Sequence, residues 1–287
     1  MSPRVREAHV HDSEVTTRAR GPLLITWLGH SAVLLELDGV RLLTDPVLRT
    51  RVAHLRRVAP NANFRVLEDL DAALVSHLHY DHLDVPSLER LGRSQRLVVP
   101  RGAGSVLRRR RFTRVTEIGV GDELSVGPLV IRATHAEHDG RRRPFGAKAP
   151  AVGYLIQGSI NVYFAGDTDL FDGMDALAPG LDLALLPIAG WGPRIPAGHL
   201  DPFRAARALV RLRPRCAVPI HWGTYRRIGM DRDPAWLRAP ADAFVEFAHE
   251  LAPQVDVRLL AVGGTLAFSV APDVAPAGSR PQAGTGA

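Results

Sequence analysis

Residues 76–84 read SHLHYDHLD and place His77, His79, Asp81 and His82 within six positions. All four side chains can bind a metal ion. The apolar residues just before them, AALV at 72–75, read as a short strand that stops at the cluster. Side chains two apart in an extended segment share one side, so His77 and His79 can chelate one ion. Asp81 and His82 fall past the strand, where the chain turns towards a helix, and are free to serve a second ion.

Further donors stand at the ends of other apolar runs. VYFAG ends in Asp167, CAVPI ends in His221, and LVIRAT is followed by His135 and His138. A strand that crosses a core and stops at a His or Asp sets that side chain on the rim of its sheet. Several rims at one edge make a concave polar site on a rigid scaffold. Imidazole and carboxylate together suit Zn²⁺, and also Mn²⁺ or Fe. A carboxylate such as Asp167 can bridge two ions. Two ions about 3.5–4 Å apart would hold a hydroxide between them and polarise a substrate oxygen. Taken alone, Asp167 reads equally well as a helix N-cap and His221 is ambiguous. The joint arrangement carries the assignment. His54 and His249 read as ordinary histidines.

The chain around this cluster is organised in short strands. Asp38-Gly39 and Gly158-Ser159 separate paired apolar runs and read as hairpin turns. RLVVP, LDLALLPI and VDVRLLA read as further strands. DPFRAARALVRL reads as a helix with Asp201 as N-cap and Pro202 first. DPAWLRAPADAFVEFAHEL reads as helical, and Pro240 is expected to divide it into two helices. Hairpins come first in each half and strand–helix alternation follows. That order implies an α/β (α+β) architecture of two mixed β-sheets, face to face, with helices outside. Residues 1–20 read as a polar flexible segment, 21–270 as one folded domain, and 271–287 as a disordered Pro/Ala/Gly-rich tail. Segment 46–66 has few strand or helix signals and is expected to be a loop able to cover the site.

Composition narrows the function. Of 287 residues 46% are hydrophobic, ordinary for a globular chain. No apolar run is long enough to span a bilayer, and no h-region follows the first basic residues, so the expected location is cytoplasmic. The single cysteine, Cys216, excludes an internal disulfide and a cysteine-rich zinc site. A metal must therefore be held by His and carboxylates. The net charge of +6 comes from arginine, with basic runs at 108–111 and 141–143. Such runs read as solvated surface, or as attraction to anionic substrates. No aromatic-interleaved basic stretch points to nucleic acid. The sequence leaves the oligomeric state open.

The form H-x-H-x-D-H at 77–82, with FAGDT and IHWG, resembles the metallo-β-lactamase superfamily. The similarity runs from Leu23 to Val270. WLGHSAVLLELDGVRLLTDPVL, YFAGDTDLF, LALLPIAGWGPR, HLDPFRAARAL and VPIHWGTY resemble the N-acylphosphatidylethanolamine phospholipase D branch. The ascorbate-6-phosphate lactonase group is a more distant likeness. The resemblance implies a four-layer αββα sandwich with two divalent ions, usually Zn²⁺. It implies His77 and His79 on the first ion, Asp81, His82 and His221 on the second, and Asp167 bridging. The family's P-A-x-H pattern aligns His138 as the remaining ligand of the first ion, with Arg141 or Arg142 as the arginine that follows. His135, at the proline position, is the alternative. His199 matches a histidine near the substrate phosphate, and also reads as a residue preceding the Asp201 cap. Asp45 is expected to orient a metal-binding histidine, and His30 to lie near the site. Trp191 and Arg194 are expected to line the pocket. Asp81 and His199 are the expected catalytic groups. The implied reaction is hydrolysis of a phosphodiester, phospholipase D-like or small, through a metal-bridging hydroxide. Hydrolysis of a lactone or other ester is the alternative. The partner would be a small-molecule or lipid-derived anionic substrate. A redox or nucleic-acid-binding role would call for a flavin or gripping module.

Overall fold

The opening run folds as an antiparallel meander of β1 (Leu23–Gly29), β2 (Ala32–Leu37) and β3 (Val40–Thr44). Asp38 and Gly39 turn β2 into β3 with φ of 50° and 79°, the left-handed pair a two-residue hairpin turn needs. In β2, Val33, Leu35 and Leu37 join one hydrophobic cluster while Ala32 and Leu34 join another. Both faces are buried from Ala32 to Leu35, so that part of the strand reads as a continuous apolar run. The computed structural model describes residues 22–270 apart from 143–145, 178, 193–194 and 231–233. The segments 1–20 and 271–287, expected to be flexible, lie outside the described residues.

The first sheet has seven strands, in the order β17 (Thr265–Phe268), β1, β2, β3, β6 (Ala72–Leu74), β7 (Leu97–Pro100) and β8 (Val115–Ile118). The second also has seven: β16 (Asp256–Val257), β14 (Cys216–Ile220), β13 (Leu183–Pro187), β12 (Val162–Phe164), β11 (Val152–Gln157), β10 (Leu129–His135) and β9 (Glu123–Val126). Ile25, Val33 and Leu35 of the first sheet share a buried cluster with Ile131, Tyr154 and Ile156 of the second. Each such side chain contributes about 1.5–3 kcal/mol by leaving water. Helices α1 (Val85–Leu91) and α2 (Gly104–Arg108) pack Leu88 and Leu107 with the first sheet's second cluster. Helices α3 (Pro202–Leu212) and α4 (Pro234–Leu251) bring Ala205, Leu209 and Phe244 to the main core. The result is the four-layer αββα sandwich. Among the described residues, no helix is long and apolar enough to cross a membrane.

Two expectations are corrected. Helix α4 is continuous through Pro240. Residues 235–239 before it are exposed or half-buried, so a carbonyl freed by the missing N–H lies within reach of water. Segment 46–66 is not a bare loop. It holds β4 (Arg51–Val52) and β5 (Leu55–Arg57), which form a small antiparallel sheet with β15 (Tyr225–Arg227). Val47, Val52, Leu55 and Tyr225 supply its apolar side. The stabilising partner β15 is remote in sequence, so no local pattern announces these strands.

The mixed topology positions the site. β3, β6 and β7 are parallel, as are β12, β13 and β14. Crevices form outside the carboxyl ends of parallel strands, and Asp45, His77, Asp167 and His221 all follow such ends. There the sheets meet: Val152 N–H donates to Ser76 O at 3.0 Å. Gly166 permits the approach, with φ +62° and a hypothetical Cβ only 2.6 Å from Ser76 Cβ. Gly166→Ala combines a left-handed alanine with a backbone-level clash, together about 2–5 kcal/mol. A Tm lowered by roughly 5–15 °C in calorimetry is the expected outcome; an unchanged Tm would show that the sheets can separate there freely.

Candidate metal centre

The 76–84 stretch is shaped before any ligand is considered. Leu83 N–H and His82 N–H both donate to His79 O, at 2.8 and 3.1 Å, closing a tight turn. Asp84 then caps α1 by accepting from Ser87 N–H. Arg142 clasps the turn from outside: its guanidinium donates to Leu78 O (2.9 Å) and Leu83 O (3.0 Å) and lies 4.0 Å from the Tyr80 ring centroid.

Hydrogen bonds assign the histidine tautomers. His221 Nδ1 donates to Ala189 O (2.6 Å), His138 Nδ1 to Gly198 O (2.8 Å) and His82 Nδ1 to Asp45 Oδ2 (2.6 Å). Ser76 Oγ donates to Asp45 Oδ2 at 2.6 Å and so accepts from His77 Nδ1 at 3.0 Å. In the neutral rings each Nε2 is left with an inward lone pair. His77 Nε2 and Asp167 Oδ1 are buried and have no hydrogen-bond partner.

The inward atoms crowd together. His82 Nε2 lies 3.3 Å from His221 Nε2, and His79 Nδ1 lies 3.2 Å from His138 Nε2. Two lone pairs facing at this range repel. Two nitrogens on one zinc at about 2.0–2.1 Å in a tetrahedral arrangement sit roughly 3.3–3.4 Å apart. The pairs therefore have the spacing of edges of ligand polyhedra. Asp167 stands between them, with Oδ2 3.1 Å from His82 Nε2 and 4.0 Å from His77 Nε2, and Oδ1 3.3 Å from His221 Nε2. Donor atoms of His77, His79 and His138 lie within 4.8 Å of one another, as do those of His30, Asp81, His82 and His221. The donor set fits a metal.

Electrostatics prepare the same atoms. Burial holds His77 well below the ordinary imidazole range, lowers His79, pushes His138 down to about 4 and His30 to about 3. These rings offer lone pairs at neutral pH, as metal ligation demands. At His82 burial also opposes protonation, but Asp167 and Asp45 override it and lift its pKa well above that range, so without a metal its Nε2 keeps a proton that a bound cation would displace. Burial disfavours ionised Asp81 and Asp167. The His30 hydrogen bond and His82 nevertheless hold Asp81 well below the carboxylate range, and His221 and His82 do the same for Asp167. Asp81 Oδ2 accepts from Trp191 Nε1 at 2.8 Å and lies 3.2 Å from His30 Nε2. Backbone strain concentrates here too, with positive φ at His30 (55°), Asp45 (31°) and His221 (63°).

The centre floors a cleft of about 540 Å³. Val52, Leu55, Trp191 and Pro196 form apolar walls, and His54 and His199 reach in. His199 Nε2 lies 3.4 Å from Asp167 Oδ2. His77, His79, Asp81, His82, His138, Asp167, His221, His30, Asp45, Trp191 and His199 thus come together. His135 does not: its side chain is 50% exposed and turned to Glu137. It is the last residue of β10 and packs edge-on against Phe171 with ring centroids 4.8 Å apart, while His138 lies beyond the strand end. Arg194 lies outside the described residues. Sequence reasoning missed Ser76, the Arg142 clasp and His54, which packs edge-on against Trp191 with centroids 4.9 Å apart. Only the hairpin β4–β5 brings His54 to the cleft, and that hairpin had no local signal.

In sequence and fold the chain is similar to known proteins. The family described as "Beta-lactamase superfamily domain" matches residues 40–222. A metal-dependent hydrolase of Methanopyrus kandleri is 33% identical over 253 residues, 83% of this chain and 97% of its own. N-acyl-phosphatidylethanolamine-hydrolyzing phospholipase D 1 of Caenorhabditis elegans is 32% identical over 230 residues, 71% of this chain. The chain spans 64% of the nematode relative's length and 59% of a mycobacterial one's. A metallo hydrolase from Ignicoccus hospitalis superposes with a TM-score of 0.68 at 25% identity, covering 87% of this chain and 99% of that one.

Proposed function

The chain belongs to the beta-lactamase superfamily domain family, and from that premise we propose that it is a metal-dependent hydrolase with a dinuclear centre, acting on a phosphodiester. The observation that carries the proposal is the convergence of inward imidazole lone pairs and ionised carboxylates at metal-ligand spacing. His77, His79 and His138 would hold one ion, Asp81, His82 and His221 the other, and Asp167 both. Zinc suits this nitrogen–oxygen donor set, with manganese or iron as alternatives. When bound, the ions supply a nucleophile at neutral pH and Lewis-acid stabilisation of charge developing on substrate oxygen.

The chain's own residues do the rest. Asp45, Ala189 O and Gly198 O fix the orientation of three ligand rings. Trp191 and His30 hold the Asp81 carboxylate. His199 lies 3.2 Å from Pro196 O through Nδ1 and 3.4 Å from Asp167 Oδ2 through Nε2, so its Nε2 stands beside Asp167 where a substrate oxygen would arrive. Val52, Leu55 and Trp191 exclude water and accommodate an apolar substituent. The name of the nematode relative supports a phosphodiester of the phospholipase D kind. Among the described residues lining the cleft there is no lysine or arginine, which favours lactone or other ester hydrolysis as the second reading.

The test is metal analysis followed by a screen of bis(p-nitrophenyl) phosphate, phospholipids and lactones. Turnover that requires metal and falls to background in His79→Ala is the expected result; a metal-loaded protein inert on the whole panel would sink the proposal. Trp191→Phe keeps the ring but deletes the N–H on Asp81. Metal affinity about tenfold weaker by chelator competition is expected, within the range for groups that orient ligands. Wild-type affinity in that variant would leave Trp191 as a cleft wall alone.

A further inference from the structure

A second cavity, of about 430 Å³, lies beside β4 and is lined by Arg49, Thr50, Arg51, Asn61, Phe64 and Arg90 among others. Among the described residues no Asp or Glu lines it. We propose that this bowl binds a doubly charged phosphate-type anion, such as a phosphate monoester.

Two of its guanidiniums are fixed by contacts that leave donors unused. Arg49 Nε and Nη2 donate to Asp84 Oδ2 and Oδ1 at 2.8 and 2.6 Å, so both Nη1 protons remain. The Arg90 Cζ stacks 3.6 Å from the Phe64 ring centroid. Stacking commits the face of that guanidinium, not its in-plane N–H groups. Arg90 has no carboxylate partner among the described residues. Arg51 has none either and stands in register opposite Arg56. Like charges directly opposite cost stability in a sheet, and an anion would relieve that repulsion. Asp84 offsets Arg49, which leaves two uncompensated positive charges and hence a preference for a dianion. Pre-set forks lose little freedom on binding oxyanions, where they form charge-assisted hydrogen bonds. The Asn61 amide and Thr50 hydroxyl add neutral polar groups.

The bowl is separate from the metal centre and does not depend on the hydrolase reading. Arg51 lines the bowl, and the next residue, Val52, lines the cleft on the other side of β4. Its floor is tied to the metal-site loop, since Leu48 N–H donates to Ser87 Oγ at 3.0 Å and Arg49 grips Asp84, the cap two residues beyond His82.

The probe is phenylphosphonate, which is not hydrolysed, titrated calorimetrically into the metal-loaded protein. Binding that survives chelation of the metal is expected. Arg51→Gln and Arg90→Gln should each weaken it about tenfold or more, the size of one lost charge-assisted contact. Arg51→Lys, which keeps charge but not the fork, should lose less. Arg51 is exposed, so an unchanged Tm in its variants shows that the fold is intact. Sedimentation with phosphatidylcholine vesicles, with and without phosphatidic acid, separates the sources. Arg51-dependent retention on phosphatidic acid vesicles would assign a lipid headgroup, and binding of the free probe alone a soluble ligand. Binding abolished by chelation and unchanged in both glutamine variants would overturn the proposal, as would no binding in either arm.

Discussion

Asp167→Asn is expected to remove at least one metal ion and to lower kcat by three orders of magnitude or more, about 4 kcal/mol. Its two oxygens face different partners, His82 and His77 through Oδ2 and His221 through Oδ1. An amide of the same shape offers one neutral acceptor where two charged ones stood. It also turns an N–H₂ towards lone-pair nitrogens or a cation. Oδ1 is buried without a hydrogen-bond partner, and a buried anionic oxygen in that state is costly unless a cation compensates it. Elemental analysis after gel filtration, with turnover of whichever substrate the screen identifies, measures the effect. A ligand that binds only the folded state raises Tm by mass action, so the rise in Tm on adding zinc should shrink in the variant. Full metal content with undiminished turnover would show that Asp167 bridges nothing.

What could be read in the sequence follows the range of the interactions. The cluster at 77–82 was legible because local spacing brings its donors together. The hairpin at Asp38-Gly39 was legible because two residues dictate its turn, the β11–β12 hairpin because Gly158-Ser159 breaks two apolar runs although the connection takes residues 158–161, and the Asp201 cap because it acts three residues away. Choosing between His138 and His135 required the end of β10, which periodicity locates only to within a few residues. The β4–β5 hairpin was illegible because its stabilising strand, Tyr225–Arg227, arrives late in the chain. With it went His54, the apolar cleft wall and the arginine bowl. Pro240 misled because the sequence does not say whether the preceding turn faces water. Local chemistry thus pointed to the centre, while its surroundings, which select a substrate, depend on contacts between distant segments.

Asp45→Asn tests whether the centre depends on a residue that touches no substrate. Asp45 is fully buried. Its Oδ1 accepts from Ser76 N–H at 2.7 Å, and its Oδ2 accepts from Ser76 Oγ and His82 Nδ1, each at 2.6 Å. An asparagine can keep one acceptor oxygen but sets an N–H₂ donor against the remaining donors. If the amide oxygen serves Ser76 N–H, His82 loses its acceptor and can invert its tautomer, which places a proton on the Nε2 needed by the metal. If it serves His82, the Ser76 amide at the junction of the sheets is left unpaired. Either way a buried donor is orphaned, at about 1–3 kcal/mol. Metal affinity should fall by about 10–100-fold, as for other groups that orient metal-binding histidines. Chelator competition and the Tm of the metal-free protein separate the two effects. A lower Tm with wild-type metal affinity would make Asp45 a brace for Ser76 alone, whereas loss of both ties the junction of the two sheets to the orientation of His82.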